Sequence, residues 1–456
     1  DPDNVAVVFD INALRAGLAA VRNAFPPHWV HCLAIKSCPL TFVIQEVIGA
    51  GLGVEAASFV ELYMALAHGC SSKLAVFDSP AKTYEELEMA LHSGTLVNAN
   101  SFEELDRIHN ILLKHSSVEA QERGLSNGRQ IEGSASTSIT DNARVGIRLN
   151  PLVGSGVLSE LSTSVPNSKF GVPISPQNIT ALIKAFERWP WIVGLHVHVG
   201  SQSLALEKLG DGIAAICDIA NTVDKALGKG RVALIDIGGG LPVNYSSGEV
   251  TPTFADYADV LKSKAPELFS NMERTVITEF GRALVVKAAV TVSKVEYVRE
   301  NVTPEAEGEE PQVTKAMDMD LPPPGSSDRQ TLVTHMGADL FLRTSYCPGR
   351  YGHRLSIYDK DGNPSTRPAI RTDVAGPLCF EGDYLAKESK LPRAVPGDLV
   401  VAHDTGGNTF SMFSRHCSRR APAVYGYAVG ADGELAMHMI KERESVWDVA
   451  RFWGCR

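Results

Sequence analysis

Ala233-Leu234-Ile235-Asp236-Ile237-Gly238-Gly239-Gly240 is the stretch whose reading decides the fold. A short apolar run rich in β-branched residues carries one acid near its end and then breaks into three glycines, which reads as a strand ending in a polar, tight turn. Working outward, the same figure recurs. Strands are predicted at roughly 30 to 36, 52 to 56, 73 to 77, 95 to 98, 144 to 149, 192 to 198, 232 to 237 and 275 to 279. Between them lie stretches with helical spacing, such as Phe59 to His68 and Thr83 to His92. Eight strands alternating with helices are what a closed (β/α)8 TIM-like barrel requires, so an α/β fold of that kind is expected over residues 1–290.

Two stretches break the alternation. Residues 116–142 are rich in Ser, Thr, Gly and Asn, and 301–329 combine acids with Leu321-Pro322-Pro323-Pro324-Gly325, so both read as insertions or linkers. Past residue 330 the chain turns to short β-like runs punctuated by Gly and Pro, such as Asp398 to His403 and Ala423 to Val429. A C-terminal antiparallel β-domain over 291–456 is the expectation, with the N-terminal segment open to either domain.

Bulk properties narrow the partners. The 456 residues are 44% hydrophobic and 21% charged, an ordinary globular composition, and no apolar run is long enough to span a bilayer. A formal charge of −10 argues against nucleic acid, which needs a basic surface to displace counterions. The eight cysteines are scattered, with no zinc-type spacing, and read as thiols in a reducing compartment. Asp1-Pro2-Asp3-Asn4 has no leader character, so a cytoplasmic location is expected, or an organelle had a transit peptide been removed.

In such a barrel the chemistry sits at the C-terminal strand ends. There stand Lys36 in Leu33-Ala34-Ile35-Lys36-Ser37, Glu55, Arg148, His198 and Ser201 in His196-Val197-His198-Val199-Gly200-Ser201-Gln202, Gly238 to Gly240, and Glu279, Gly281 and Arg282 in Thr278-Glu279-Phe280-Gly281-Arg282. Singly each has a plain reading: a solvated strand-end lysine, a core histidine, a tight turn. Together they match what pyridoxal 5'-phosphate (PLP) needs: an amine for its aldehyde, backbone amides for its phosphate, and a carboxylate for its pyridine nitrogen. Glycines let N–H groups approach phosphate oxygens with no Cβ between.

The motifs A-I-K-S-x-P, H-V-G-S-Q, D-I-G-G-G, E-x-G-R, G-P-x-C and D-T-G-G, in that order, resemble those of the ornithine, diaminopimelate and arginine decarboxylase family, which has the alanine-racemase-like fold called fold-type III. The resemblance covers nearly the whole chain and is nearest to diaminopimelate-type members. It implies PLP-dependent decarboxylation of an amino acid. It makes Lys36 the Schiff-base lysine, His198 the imidazole on the pyridine face, and Glu279 the partner of the ring nitrogen. Gly238, Gly239, Gly240 and Arg282 would cradle the phosphate, with Ser201 and Gly281 beside them. Glu55 stands where the family usually has Asp, and Arg148 where an arginine contacts the cofactor region. Cys379, in Gly376-Pro377-Leu378-Cys379, matches the cysteine that a neighbouring subunit contributes, so the resemblance implies a homodimer with shared active sites.

This chain departs from the pattern twice. Where the family has G-A-Y, with a tyrosine reaching the phosphate, it reads Gly406-Gly407-Asn408, leaving Asn408 as the shorter donor. Where members acting on diamino acids have an acid directly after the cysteine, it has Phe380 and only then Glu381. Asp359 resembles a second distal acid, and Arg343 the arginine that holds a substrate carboxylate in diaminopimelate-type members, with Arg350 and Tyr351 nearby. The identity of the amino acid stays open on these residues.

Four other readings compete with this one. Ala34-Ile35-Lys36 matches part of a kinase signature, but no H-R-D or D-F-G follows. His196-x-His198 could serve a metal-dependent hydrolase, yet no histidine occurs from Val199 to Val285, so no metal is expected. A racemase of the same fold would place an arginine where Glu279 stands, and a non-catalytic relative acting as a binding protein would not need Lys36, His198, Glu279, Arg282 and Cys379 together.

Overall fold

The computed structural model describes residues 4–125, 138–154, 163–202, 204–300, 329–346 and 352–456. Most of the two expected insertions, together with Arg350 and Tyr351, lies outside these residues. The start of the first one is ordinary helix, because Phe102–Leu125 runs on past residue 116.

The chain divides into two compact units: Gly17–Val243 with Thr251–Leu284, and Asp1–Ala16 with Asn244–Val250 and Val285–Arg456. β1 (Val5–Asp10) belongs to the latter unit. The former is the barrel. Its strands are β2 (Val30–Ala34), β3 (Gly53–Ala56), β4 (Ala75–Phe77), β5 (Leu96–Ala99), β6 (Arg144–Asn150), β8 (Ile192–His196), β9 (Leu234–Asp236) and β10 (Thr275–Phe280), while the two-residue β7 (Val172–Pro173) pairs outside the ring. All pair in parallel, and β10 pairs with β2 to close the circle. Cys32, Val76, Leu96, Leu234 and Ile277, one from each of five strands, form a dry cluster in the barrel. Full burial of such a side chain is worth ~1.5–3 kcal/mol.

Local chemistry sets where the outer helices begin. Thr83 caps Tyr84–Ser93 in a reciprocal box with Glu86, and Thr253 does the same for Phe254–Lys264 with Asp256. Ser175 caps Pro176–Arg188, whose proline sits where the missing N–H costs nothing. Each helix therefore starts at a fixed residue, which sets the length of the loop at a strand's C-terminal end.

The second unit is a nine-stranded sheet of β1, β11 (Ala289–Glu300), β12 (Arg329–Thr334), β13 (Leu355–Tyr358), β14 (Ala369–Ala375), β15 (Tyr384–Pro392), β16 (Leu399–Ala402), β17 (Ala423–Val429) and β18 (Leu435–Lys441). It is mixed rather than purely antiparallel, since β1 runs parallel to β17 and β12 parallel to β14. The N-terminal strand causes the first exception by inserting between β11 and β17. Val5, Val295, Leu332, Phe341, Val374 and Val400 build its core.

Candidate active site

The C-terminal ends of the barrel strands gather the ionisable residues. Just past β2 the chain turns through a short 3-10 segment, Ile35–Ser37, so Lys36 leaves the strand and its side chain keeps half of its exposure. Its ammonium lies 2.6 Å from Glu55 Oε2 at the end of β3. Burial tends to lower the Lys36 ammonium, but the facing carboxylates of Glu55, Glu279 and Asp78 outweigh it and raise it. Burial pushes the Glu55 carboxyl up to about 8, against the pull of Lys36.

Behind this pair a row of polar groups crosses the barrel. Arg148 Nη1 donates to Asp78 Oδ2 at 3.0 Å, and the guanidinium packs 4.5 Å from the centre of the Phe170 ring. His196 Nε2 lies 3.8 Å from Asp78 Oδ2 and 3.4 Å from Glu279 Oε2. Asp236 accepts from Asn98 Nδ2 at 3.1 Å and from the Gly238 N–H at 3.0 Å. Burial and then the like charge of Glu279 push the Asp236 carboxyl well above the usual range. Burial opposes ionisation of Glu279 too, but His196 and Lys36 outweigh it and lower its pKa. Arg148 likewise outweighs burial at Asp78, holding that carboxyl far below the ordinary range.

The triple glycine is packed from both sides. A Cβ on Gly238 would strike the Val197 carbonyl, one on Gly239 the Glu279 carbonyl, and one on Gly240 the Gly200 carbonyl. Gly238 and Gly240 also adopt φ of 65° and 103°, where side chains are strained. The Gly239 N–H donates to His198 Nδ1 at 3.2 Å, which fixes the tautomer with its hydrogen on Nε2. Burial, then Arg148 and Lys36, push that imidazole down to about 3, so it is neutral. Gln202 ties the neighbouring loop down through Val243, donating to its carbonyl and accepting from its N–H. Ser201 is half-buried in that loop, and Arg282 is buried just past Gly281.

These residues fit PLP. Glu279 Oε1 is buried with no hydrogen-bond partner, as a carboxylate awaiting a pyridinium N–H would be. Residues 11–286 match the family described as the pyridoxal-dependent decarboxylases, pyridoxal binding domain. The chain belongs to that family. Among relatives of known function it is 28% identical over 426 residues to the diaminopimelate decarboxylase of Haemophilus influenzae, covering 93% of this chain and 86% of the relative. It is 26% identical to that of Archaeoglobus fulgidus over 96% of this chain and 89% of the relative. Among solved structures, diaminopimelate decarboxylase from Helicobacter pylori complexed with L-lysine superposes with a TM-score of 0.75 at 22% identity, covering 98% and 96% of the two chains. Lysine/ornithine decarboxylase from Vibrio vulnificus complexed with putrescine gives 0.66 at 19% identity over 90% and 91%.

As a pyridoxal-dependent decarboxylase the chain uses PLP and is an amino-acid carboxy-lyase. The cofactor, when bound, supplies an aldehyde for the substrate amine and a ring that accepts the electron pair left as carbon dioxide departs. The protein could hold it with Lys36 at the aldehyde, His198 over the ring, Glu279 at the nitrogen and Gly238–Gly240 at the phosphate.

Asp78, His196 and Glu279 place ligand atoms within 4.8 Å of one another, the geometry of a cation site. Arg148 already answers Asp78 Oδ2, which lowers the charge a metal would find there. The sequence reading passed over Asp78 and Asn98 and gave Asp236 no role. The signal was available, since Asp78 follows β4 directly and Asn98 lies near the end of β5.

The remaining predicted residues lie in the β-sheet unit. Cys379, Phe380 and Glu381 sit exposed on a loop anchored by buried Asp383, which accepts from the N–H groups of Ala338 and Leu378, both at 2.6 Å. The Phe380 ring meets His416 edge-on with centroids 6.1 Å apart. Arg343 is on the helix Leu342–Tyr346. Asp359 occupies a turn, where its carboxylate accepts from the N–H groups of Asp361 and Asn363, both at 2.9 Å. Asn408 adopts φ of 56°, a left-handed conformation that Asn tolerates better than Tyr. Seven cysteines, all those described, are free thiols. Among the described residues no helix is long and apolar enough to cross a membrane.

Proposed function

We propose that the chain decarboxylates a diaminopimelate-type amino acid, one with a carboxylate at its distal end, and that it does so as a homodimer. The observation that carries the substrate is the likeness over nearly the full chain to proteins named diaminopimelate decarboxylase, one of them complexed with L-lysine, which is what remains when diaminopimelate loses one carboxyl group. Arg343 supports it as the cation for the distal carboxylate, with Glu381 answering the distal ammonium one residue later than usual.

In this reading Lys36 carries PLP, His198 covers its ring and Glu279 meets its nitrogen. Gly238, Gly239, Gly240, Ser201, Gly281 and Arg282 serve its phosphate, helped by Asn408, while Glu55 and Arg148 flank the ring. Cys379 comes from the second subunit. Exposed Leu435, Met437 and Met439 on the edge strand β18, with Trp447, Phe452 and Trp453 beyond it, supply apolar surface of the kind that association covers. Tyr351 and Asp359 complete the candidates for the substrate pocket.

Phe380 favours a second reading, a substrate without a free distal ammonium, because an unpaired charge against an aromatic ring costs several kcal/mol when buried. Carbon dioxide release from diaminopimelate, ornithine, lysine, arginine and neutral analogues, with mass detection of the product, separates the two. The proposal expects diaminopimelate to lead, with lysine formed. A neutral analogue in first place would overturn it and make Phe380 the specificity residue.

A further inference from the structure

The groups that touch PLP do not account for the buried row behind them. Asp78, His196 and Asp236 are each at least nine-tenths buried, and come from the residue after β4, from β8 and from β9. Burying two carboxylates and an imidazole costs several kcal/mol per charge unless they serve one another. Their common neighbour is Glu279. Its Oε2 lies 3.4 Å from His196 Nε2, and its Oε1 is left without a partner.

His196 Nε2 faces only acceptors, the carboxylate oxygens of Asp78 and Glu279, so that nitrogen carries the hydrogen. Both ring nitrogens are buried and, among the described residues, neither makes a close hydrogen bond, so the ring is placed only by the approach of Nε2 to those two carboxylates. Asp78 is itself fixed by Arg148. His196 Nε2 is thus set between Asp78, which Arg148 anchors, and Glu279. A carboxylate with an imidazole nitrogen 3.4 Å from one oxygen is favoured in the orientation that turns its other oxygen away.

We propose that His196, braced by Asp78, is a positioning residue that aims Glu279 Oε1 at the cofactor's ring nitrogen. This rests on the assignment of Glu279 to that nitrogen. The row accounts for the polar residues at three strand ends that otherwise have no task in the site.

The test compares His196→Leu, His196→Gln, Asp78→Asn and, as reference, Glu279→Gln. Each is stripped of cofactor and titrated with PLP by absorbance, then assayed for kcat and KM, with the urea midpoint confirming the fold. His196→Leu should weaken PLP about fivefold and lower kcat about tenfold or more with KM changed less than about threefold, because the lost interaction matters most in the transition state. His196→Gln, which can still offer an N–H, should recover most of both, whereas a packing role would make the two substitutions alike. Should His196→Leu fail to fold, the isosteric Asp78→Asn carries the same readouts and should show the same loss of affinity and kcat. The inference is overturned if these variants bind PLP and turn over within about twofold of the native protein, or if Leu and Gln are equally impaired. Impairment of Glu279→Gln alone overturns only the role of His196. An unimpaired Glu279→Gln overturns the assignment of Glu279 itself.

Discussion

Single residues decide the chemistry through the charges their neighbours allow. His196 and Lys36 lower the pKa of Glu279 although it is buried, while burial and Glu279 raise that of Asp236 beside it. On the proposed assignment of Glu279 to the ring nitrogen, Glu279→Gln is expected to keep PLP bound and to lower kcat and kcat/KM together by about a hundredfold. Steady-state kinetics on the cofactor-saturated variant check this, and an unchanged kcat would assign the carboxylate another task. The placement of Lys36, His198 and Glu279 at the C-terminal strand ends was legible in the sequence because each closes a predicted strand inside a recognisable motif. Asp78 was not, since Phe77-Asp78-Ser79-Pro80 carries no motif, and only the closed barrel brings it to Arg148, in sequence 70 residues away.

Elements fix the geometry those residues need. The loop after β9 passes so close to β8 and β10 that no side chain fits on its glycines, and Gly239→Ala would force a Cβ into the Glu279 carbonyl. That substitution should weaken PLP at least about tenfold in a titration of the apoprotein, the loop having moved away from the phosphate. Affinity within twofold of native would place the phosphate elsewhere. At the seam that closes the barrel, His31 on β2 shares a hydrogen bond of 2.9 Å with Thr278 on β10. Burial and then Arg22 push its pKa down to about 4. The folded state thus binds fewer protons than the unfolded one between about pH 4 and pH 6.5, and stability falls as pH drops through that window. His31→Asn should remove on the order of 2 kcal/mol of the loss between pH 7 and pH 5, read from urea midpoints of the apoprotein. Equal losses in the native and variant proteins would show that His31 is not the group responsible. The barrel strands were legible to within two residues at every end. The early stop of β2 at Ala34 was not, because apolar Ile35 continues the strand pattern, although the chain has already turned to free Lys36.

At the scale of the whole molecule, the sequence announced the barrel by eight repetitions of one figure and the second unit by its change of period. It did not announce that β1, nearly 280 residues before β11, would pair with it, because one strand's pattern does not name its partner. The homodimer with Cys379 crossing to the neighbouring site is tested by mixing two inactive proteins, Lys36→Ala and Cys379→Ala. Random reassembly makes half of the dimers mixed, each with one intact site, so about a quarter of native activity should return if sites are shared. No recovery after verified subunit exchange would mean that each chain completes its own site.

The central claim is that this family member holds PLP on Lys36. Two lysines near the strand ends compete for that task, but Lys82 is buried and its ammonium is taken by the carbonyls of Ser79 and Asn98 and by Glu104, at 2.7 to 2.8 Å, whereas Lys36 keeps a half-exposed side chain and meets the carboxylate of Glu55. Borohydride reduction of the PLP-loaded protein, followed by proteolysis and mass mapping, reads the answer directly. The pyridoxyl label should appear on the peptide carrying Lys36; its recovery on Lys82 or any other lysine would contradict the account.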